Sequence, residues 1–388
     1  MQHTVAEQHV FVSGVHEVNL GRGNPAPPYR ELVVRAALGS IADAGLEKGD
    51  IDGVILCSSI PQPFDWNPAE VAEYLGITPA YAAMLPYGGK PASAVIDMAR
   101  SAIRAKLAHN VVVIGADNYA TTMGIEGAIG LLAAGLEPQY EQPFGPLIPT
   151  AFALMATRYM HDIGTTTEQM AAVAVTAREH ARLNPRAELR DPLTIEDCLK
   201  ARVITSPFTR PMVALVSTGG AQGYVVTDRR LGPRSIELLG YGERCGFMNI
   251  MQAKSLTEFS HTQFAMSIAL SEAGVTRADI DFAETYDPVA IVPIILLEEL
   301  GFCARGEGGQ FVLEGHARIG GKLPIITHGG VLAYRHPGMG GPLDNLLEAL
   351  VQLRHEAGAR QVKDCEVGLV HGEGSWLANN SILIFGRT

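Results

Sequence analysis

Tyrosine and histidine stand in three short segments of this chain, two of them rich in glycine. They are Glu284-Thr285-Tyr286-Asp287, His328-Gly329-Gly330-Val331-Leu332-Ala333-Tyr334-Arg335-His336-Pro337-Gly338 and Val370-His371-Gly372-Glu373-Gly374. An imidazole can donate a hydrogen bond to a developing oxyanion, and a phenol can serve as acid or base. A free tyrosine ionises near pH ~10, so a basic one needs a cation or strong donors beside it. Arg335 and His336 are the candidates for that role beside Tyr286 and Tyr334. His328, His336 and His371 match no common metal-ligand spacing, so no metal is expected. Asp287 either orients Tyr286 or caps the helix that starts near Pro288, and capping is the expected role. The runs Gly306-Glu307-Gly308-Gly309 and Gly338-Met339-Gly340-Gly341 are not the dinucleotide fingerprint.

Cysteine chemistry has little to work with. Cys57, Cys198, Cys245, Cys303 and Cys365 are dispersed and form no CxxC pair, which suits reduced thiols in a cytoplasmic protein. The N-terminus lacks a basic segment leading into an apolar one, so no signal peptide is expected. The most apolar stretch, Val289 to Leu297, is too short to span a bilayer. Lys plus Arg number 30 against 41 Asp plus Glu, a net charge of -11, which argues against nucleic-acid binding. With 388 residues, 47% of them hydrophobic and 18% charged, the chain can bury a sizeable core.

The elements that must position these groups alternate in type. His9–Val15, Gly53–Cys57 and Asn110–Ala116 read as strands, and Tyr29–Ala44 and Ala92–Ala108 as helices, implying α/β units. The chain then repeats itself. Ala44-Gly45-Leu46-Glu47-Lys48-Gly49-Asp50-Ile51-Asp52 recurs as Ala273-Gly274-Val275-Thr276-Arg277-Ala278-Asp279-Ile280-Asp281, an offset of 273 − 44 = 229 residues. Each copy follows a helix and leads into a strand. A later helix–strand pair in each half also matches, so the architecture is duplicated. Residues 1–118 with 212–230 form the N-terminal half, 231–388 the C-terminal half, and 119–211 an insertion that is either a lid, a substrate wall or a structural cap.

On these segments the sequence resembles the thiolase superfamily, and most closely its sterol-carrier or lipid-transfer type. The match runs through Ala42–Asp52, Arg158-Tyr159-Met160 with Gly164–Ala171, His180–Pro185 and the His328–Gly338 segment. The resemblance implies a duplicated five-layer αβαβα fold and a homodimer, placed at a sheet edge near Asn110–Ala116.

The resemblance also marks where the chain departs from thiolase chemistry. The nucleophilic cysteine falls on Gly88, the second reactive cysteine on Val370, and a catalytic histidine on Tyr286. Ser93 is the nearest hydroxyl and reads as packing. Acyl transfer through cysteine is therefore absent, while His336, Gly329, Gly330 and Gly372 are kept. This pattern is similar to the branch of steroid side-chain-cleaving aldolases. That branch implies Tyr286 and Tyr334 as the acid–base pair, in an order the sequence leaves open, and His336 as donor to the thioester oxygen. Gly88, Gly372 and His371 would line the oxyanion and substrate site.

The expected reaction is retro-aldol cleavage of a β-hydroxyacyl-CoA, a lyase step of steroid or other lipid metabolism, giving a ketone and a short acyl-CoA such as propionyl-CoA. A cysteine-less acyltransferase and a non-catalytic acyl-CoA carrier remain the alternatives. The branch implies a small zinc-ribbon/OB-fold partner completing a heterotetramer. No cofactor is expected in this chain, and zinc only in the partner.

Overall fold

The computed structural model describes residues 9–388 apart from 22–26, 60–66, 87–91, 119–121, 123–126, 128–129, 131–135, 145–147, 216, 218 and 339–340. The first half comprises β1 (Phe11–Asn19), α1 (Tyr29–Asp43), β2 (Gly53–Cys57), α2 (Pro68–Leu75), β3 (Tyr81–Leu85), α3 (Ala94–Arg104) and β4 (Asn110–Asp117). Next come α4 (Ile148–Ile163), α5 (Thr167–Leu183), α6 (Ile195–Lys200), the short hairpin of β5 (Val203–Thr205) and β6 (Phe208–Thr209), and β7 (Gly220–Thr227). The second half contains β8 (Ile236–Cys245), α7 (Ser260–Ala273), β9 (Phe282–Glu284), α8 (Ile291–Glu299), α9 (Gly308–Leu313), α10 (Gly341–Leu353), β10 (Val367–Gly374) and β11 (Asn379–Gly386).

The strand order β3-β2-β4-β7-β1-β8-β11-β10-β9 contains the repeat. In the first half β2 runs parallel to β3 and β4, and β7 runs antiparallel to β4 and β1. In the second, β9 runs parallel to β10, and β11 runs antiparallel to β10 and β8. The counterpart of β3 shrinks to one parallel bridge, Ala283 to Ile325. The half-sheets meet through two pairs, Phe11 with Glu237 and Val12 with Ile236. The repeated peptide folds alike in both copies: each helix is followed by a 3₁₀ turn, Lys48–Asp50 or Arg277–Asp279, closed by a reciprocal capping box.

Strand alternation sorts the side chains into layers. Val112 and Ile114 pack under α1 and α2, while Val111 and Val113 face a central layer with α3 and α10. Val370 and Leu383 meet that central layer from the other half-sheet, and Leu369, Ile382 and Ile384 face α7 and α8. The order is helix, sheet, helix, sheet, helix: the five layers expected. The insertion's α5 is buried in the outer layer from Met170 to Ala181, so it is part of the core.

One expectation is corrected. Asn110–Ala116 is not a sheet edge, because β4 pairs with β2 on one side and β7 on the other. Its unbroken apolar run is the signature of a strand buried on both faces. The edge strand of the first half is β3, whose side chains are half-exposed.

Candidate active site

Tyr286 and His336 come together. Tyr286 lies two residues past β9, and His336 follows a single wide π-type turn, Gly330–Tyr334. The Tyr286 Oη to His336 Nε2 distance is 2.8 Å. The His336 Nδ1 accepts the Gly338 N–H at 3.3 Å, which assigns the ring proton to Nε2, facing the phenol. Burial pushes the His336 pKa down to about 4, so the ring is neutral. The backbone is clamped by Ser217: His336 N–H donates to Ser217 Oγ at 2.8 Å, and Ser217 N–H to His336 O at 3.1 Å.

The turn before His336 is built around Asp287. Its carboxylate accepts from Val331 N at 2.8 Å and Leu332 N at 3.2 Å. It therefore caps this distant turn, which corrects the expectation that it caps the helix after Pro288. The approach requires glycine. At Gly330, with φ of +60°, an added Cβ would lie 2.0 Å from Asp287 Oδ2. Burial, with the Glu284 charge adding to it, raises the Asp287 pKa to about 7 against these two backbone donors and the His328 charge.

Tyr334 points elsewhere. Its hydroxyl donates to Glu17 of β1 and accepts from Asn19 Nδ2 at 3.3 Å. Neither Glu17 nor Asn19 was foreseen from the sequence. The only signal was an acidic residue inside an apolar strand. Burial would raise the Glu17 pKa, but Arg335, Arg186 and the Tyr334 hydroxyl outweigh it and hold it low. Tyr334 moves the opposite way. Burial first, then the Glu17 charge, drive its pKa well above the usual value, with Arg335 opposing. Arg335 therefore does not make Tyr334 basic, as was expected of it. Its guanidinium is committed to Asp344, at 2.8 and 2.6 Å, and to Val18 O at 3.0 Å.

His328 packs edge-on against Tyr334, with ring centroids 5.1 Å apart, and its Nδ1 lies 3.1 Å from Glu284. Burial lowers its pKa, yet Glu284, Glu348 and Asp344 carry it above the ordinary value. His371 is buried on β10 with Nε2 2.7 Å from Asn380 Oδ1. The three histidines thus have separate protein partners. Among the described residues no group of three His, Cys, Asp or Glu could hold a metal ion.

Gly88 lies outside the described residues. Just after it, Ser93 at the start of α3 bonds Ser381 Oγ at 2.8 Å, and Ser381 pairs with Gly372. Three of the cysteines are held as poor nucleophiles. Burial raises the Cys57 and Cys303 thiols to about 12 and Cys365 to about 11. Two stretches from the insertion hold the turn: Asn184 Nδ2 donates to His328 O at 3.1 Å, and Glu188 and Leu189 N–H groups donate to Tyr334 and Ala333 carbonyls.

A duplicated five-layer α/β chain that brings a partly buried Tyr286–His336 pair together defines the class: a thiolase-fold protein. Residues 242–387 match the thiolase C-terminal domain-like family. A steroid side-chain-cleaving aldolase of Thermomonospora curvata is 32% identical over 80% of this chain and 83% of its own. The 17-hydroxy-3-oxo-4-pregnene-20-carboxyl-CoA lyase of Mycobacterium tuberculosis is 33% identical over 83% of this chain and 86% of its own. An Ltp2–ChsH2(DUF35) aldolase structure superposes with a TM-score of 0.85, at 29% identity over 98% of each chain. An acetyl-CoA acetyltransferase of Methanothermobacter thermautotrophicus is 27% identical over 92% of this chain and 94% of its own. The chain belongs to the thiolase superfamily, in the branch that holds the steroid side-chain-cleaving aldolases. Among the described residues no helix is long and apolar enough to cross a membrane.

Proposed function

We propose that the protein is a CoA-thioester aldolase that cleaves the Cα–Cβ bond of a β-hydroxyacyl-CoA by a retro-aldol step. The observation that carries this reading is the Tyr286–His336 pair, which sets a phenol where the resemblance gives thiolases a catalytic histidine, against the histidine that is kept. The resemblance to an acetyltransferase supports only the scaffold. Val370 and Gly88 supply no thiol, and the buried cysteines keep their protons.

The geometry supports an order for the two tyrosines. His336 Nε2–H faces the Tyr286 oxygen, and a donor on that oxygen favours its phenolate. Tyr286 is the base that takes the β-hydroxyl proton. Tyr334, kept protonated by Glu17, is the acid that returns a proton to the enolate carbon. The substrates fall in the class of steroid side-chain CoA thioesters, and no cofactor is needed for proton transfer of this kind. A partner subunit is part of the reading, because the superposed aldolase is an assembly with ChsH2(DUF35). Its finer form is a small zinc-ribbon/OB-fold protein in a heterotetramer with a homodimer of this chain.

Incubation with β-hydroxyacyl-CoA thioesters, with and without that partner, tests the proposal. A carbonyl product and a shortened acyl-CoA, without free CoA, are expected. Exchange of the thioester's acyl group instead would refute it.

A further inference from the structure

Among the described residues, three buried polar atoms on β10 and just past the end of β9 have no hydrogen-bond partner. They are His371 Nδ1, Glu373 Oε2 and Thr285 Oγ1. Buried polar groups are nearly always hydrogen-bonded, so an unsatisfied cluster calls for a ligand. His371 and Glu373 flank Gly372 on one face of β10, the face on which Leu369 packs toward α7 and α8. The parallel register joins Val370 to Glu284. β9 ends at Glu284, and past its end Asp287, the residue after Tyr286, lies near enough to Glu373 for its charge to act on that carboxyl.

The two flanking groups differ in kind. Asn380 Nδ2 donates to Leu377 O at 2.9 Å, so its Oδ1 faces His371 and the His371 proton sits on Nε2. His371 Nδ1 is thus a bare acceptor. Glu373 is 6% exposed, and among the described residues its carboxyl has no hydrogen-bond partner. Burial, with the Asp287 carboxyl adding to it, raises its pKa well above the usual value and favours the protonated acid. A neutral buried carboxylic acid is a strong hydrogen-bond donor.

The chemistry lacks one such donor. The His336 Nε2–H that the resemblance assigns to the thioester oxygen faces Tyr286 here. We propose that Glu373 is a further catalytic residue, whose O–H donates a hydrogen bond to the acyl-CoA thioester oxygen as the Cα–Cβ bond breaks. The proposal rests on the aldolase reading. Tyr286 takes the hydroxyl proton, and the β-carbon becomes a carbonyl. The Cα–Cβ electron pair moves through Cα to the thioester oxygen. Glu373 stabilises that enolate without transferring its proton, and Tyr334 supplies the proton to Cα.

Glu373→Gln and Glu373→Leu, assayed as full chain with the partner, decide it. Gln keeps a donor and should cleave within about tenfold of wild type, whereas Leu should lose ~10²–10³ in kcat with little change in KM. Raising the pH should lower the wild-type rate as Glu373 ionises, and Gln should lack that decline. Infrared spectra of a bound ¹³C-carbonyl β-hydroxyacyl-CoA should show a lowered thioester stretch for wild type and Gln but not Leu. Leu cleaving like wild type, or a folded Gln as inactive as Leu, overturns the proposal. A wild type that cleaves no β-hydroxyacyl-CoA refutes the aldolase reading, and the carbonyl stretch alone then decides whether Glu373 is the donor.

Discussion

The Tyr334–Glu17 contact joins the two halves of the molecule, and its strength can be measured. Tyr334→Phe removes one hydroxyl and leaves the ring packed against His328. Glu17→Gln removes the charge but keeps an amide oxygen able to accept. Neither change strands the arginine, because Arg335 retains Asp344 and Val18 O. A hydrogen bond to a charged group contributes ~1.5–3 kcal/mol, so Tyr334→Phe should lose about that much stability, and Glu17→Gln more, because it also removes the Glu17 ion pairs with Arg335 and Arg186. The double-mutant cycle should show a coupling of ~1–3 kcal/mol. Denaturant unfolding of the four proteins supplies the numbers. The same four proteins are then assayed for cleavage. Tyr334→Phe should cost ~10²–10⁴ in rate, and Glu17→Gln less, because the phenol still has an acceptor. A coupling below ~0.5 kcal/mol with both single variants folded would refute the contact. Unchanged cleavage in both would reduce Tyr334 to a tie between β1 and the 330–334 turn.

Other perturbations follow from the same geometry. Tyr286→Phe should cut cleavage by ~10²–10⁴ yet cost little stability, since one neutral hydrogen bond is worth ~1 kcal/mol; a large loss of melting temperature would contradict this. Incubation with acyl-CoA followed by mass spectrometry should show no acyl adduct on any of the five cysteines, and an adduct that turns over would exclude the aldolase chemistry. His180, His336 and His371 are each lowered by burial to about 4, so the unfolded chain takes up protons first as pH falls from 6.5 to 4. Stability should be lost across that window, with each histidine adding up to ~1.4 kcal/mol per pH unit to the slope, and His371→Gln should flatten it measurably. Gly330→Ala, forced against Asp287, should melt earlier and lose activity, as a folded and fully active variant would not.

The repeat was legible because each copy carries its own start and stop signals, the helix, the glycine and the capped turn before the strand. The layers followed from apolar periodicity. What misled was the resemblance, which set a dimer edge near Asn110–Ala116, although the unbroken apolar run there is that of a strand buried on both faces. At the site, glycine-rich context and the resemblance singled out Tyr286, Tyr334 and His336, but not their partners. Glu17 lies more than 300 residues from Tyr334, and no local spacing could connect them. Asp287 looked like a local cap because Pro follows it. The two outward bonds to Val331 and Leu332 depend on a turn that only the fold brings near.

The acidic residues of the site also show why residue type alone could not assign roles. Glu17, Asp287 and Glu373 are all buried, and burial pushes every one of them toward the neutral form. Glu17 alone has arginines against it, Arg335 and Arg186, and it alone is held below the ordinary range. It becomes an acceptor that keeps Tyr334 protonated. Asp287 has two backbone donors and rises to about 7, while Glu373, with no hydrogen-bond donor to its carboxyl among the described residues, is raised well above the usual value. The arginines thus sort three similar carboxyls into a charged acceptor, a turn cap and a neutral donor. That division separates proton storage at Tyr334 from oxyanion stabilisation beside Gly372. It also explains how a thiolase scaffold can break a carbon–carbon bond with no thiol: the charge it must stabilise sits on oxygen, where a fixed hydrogen-bond donor suffices.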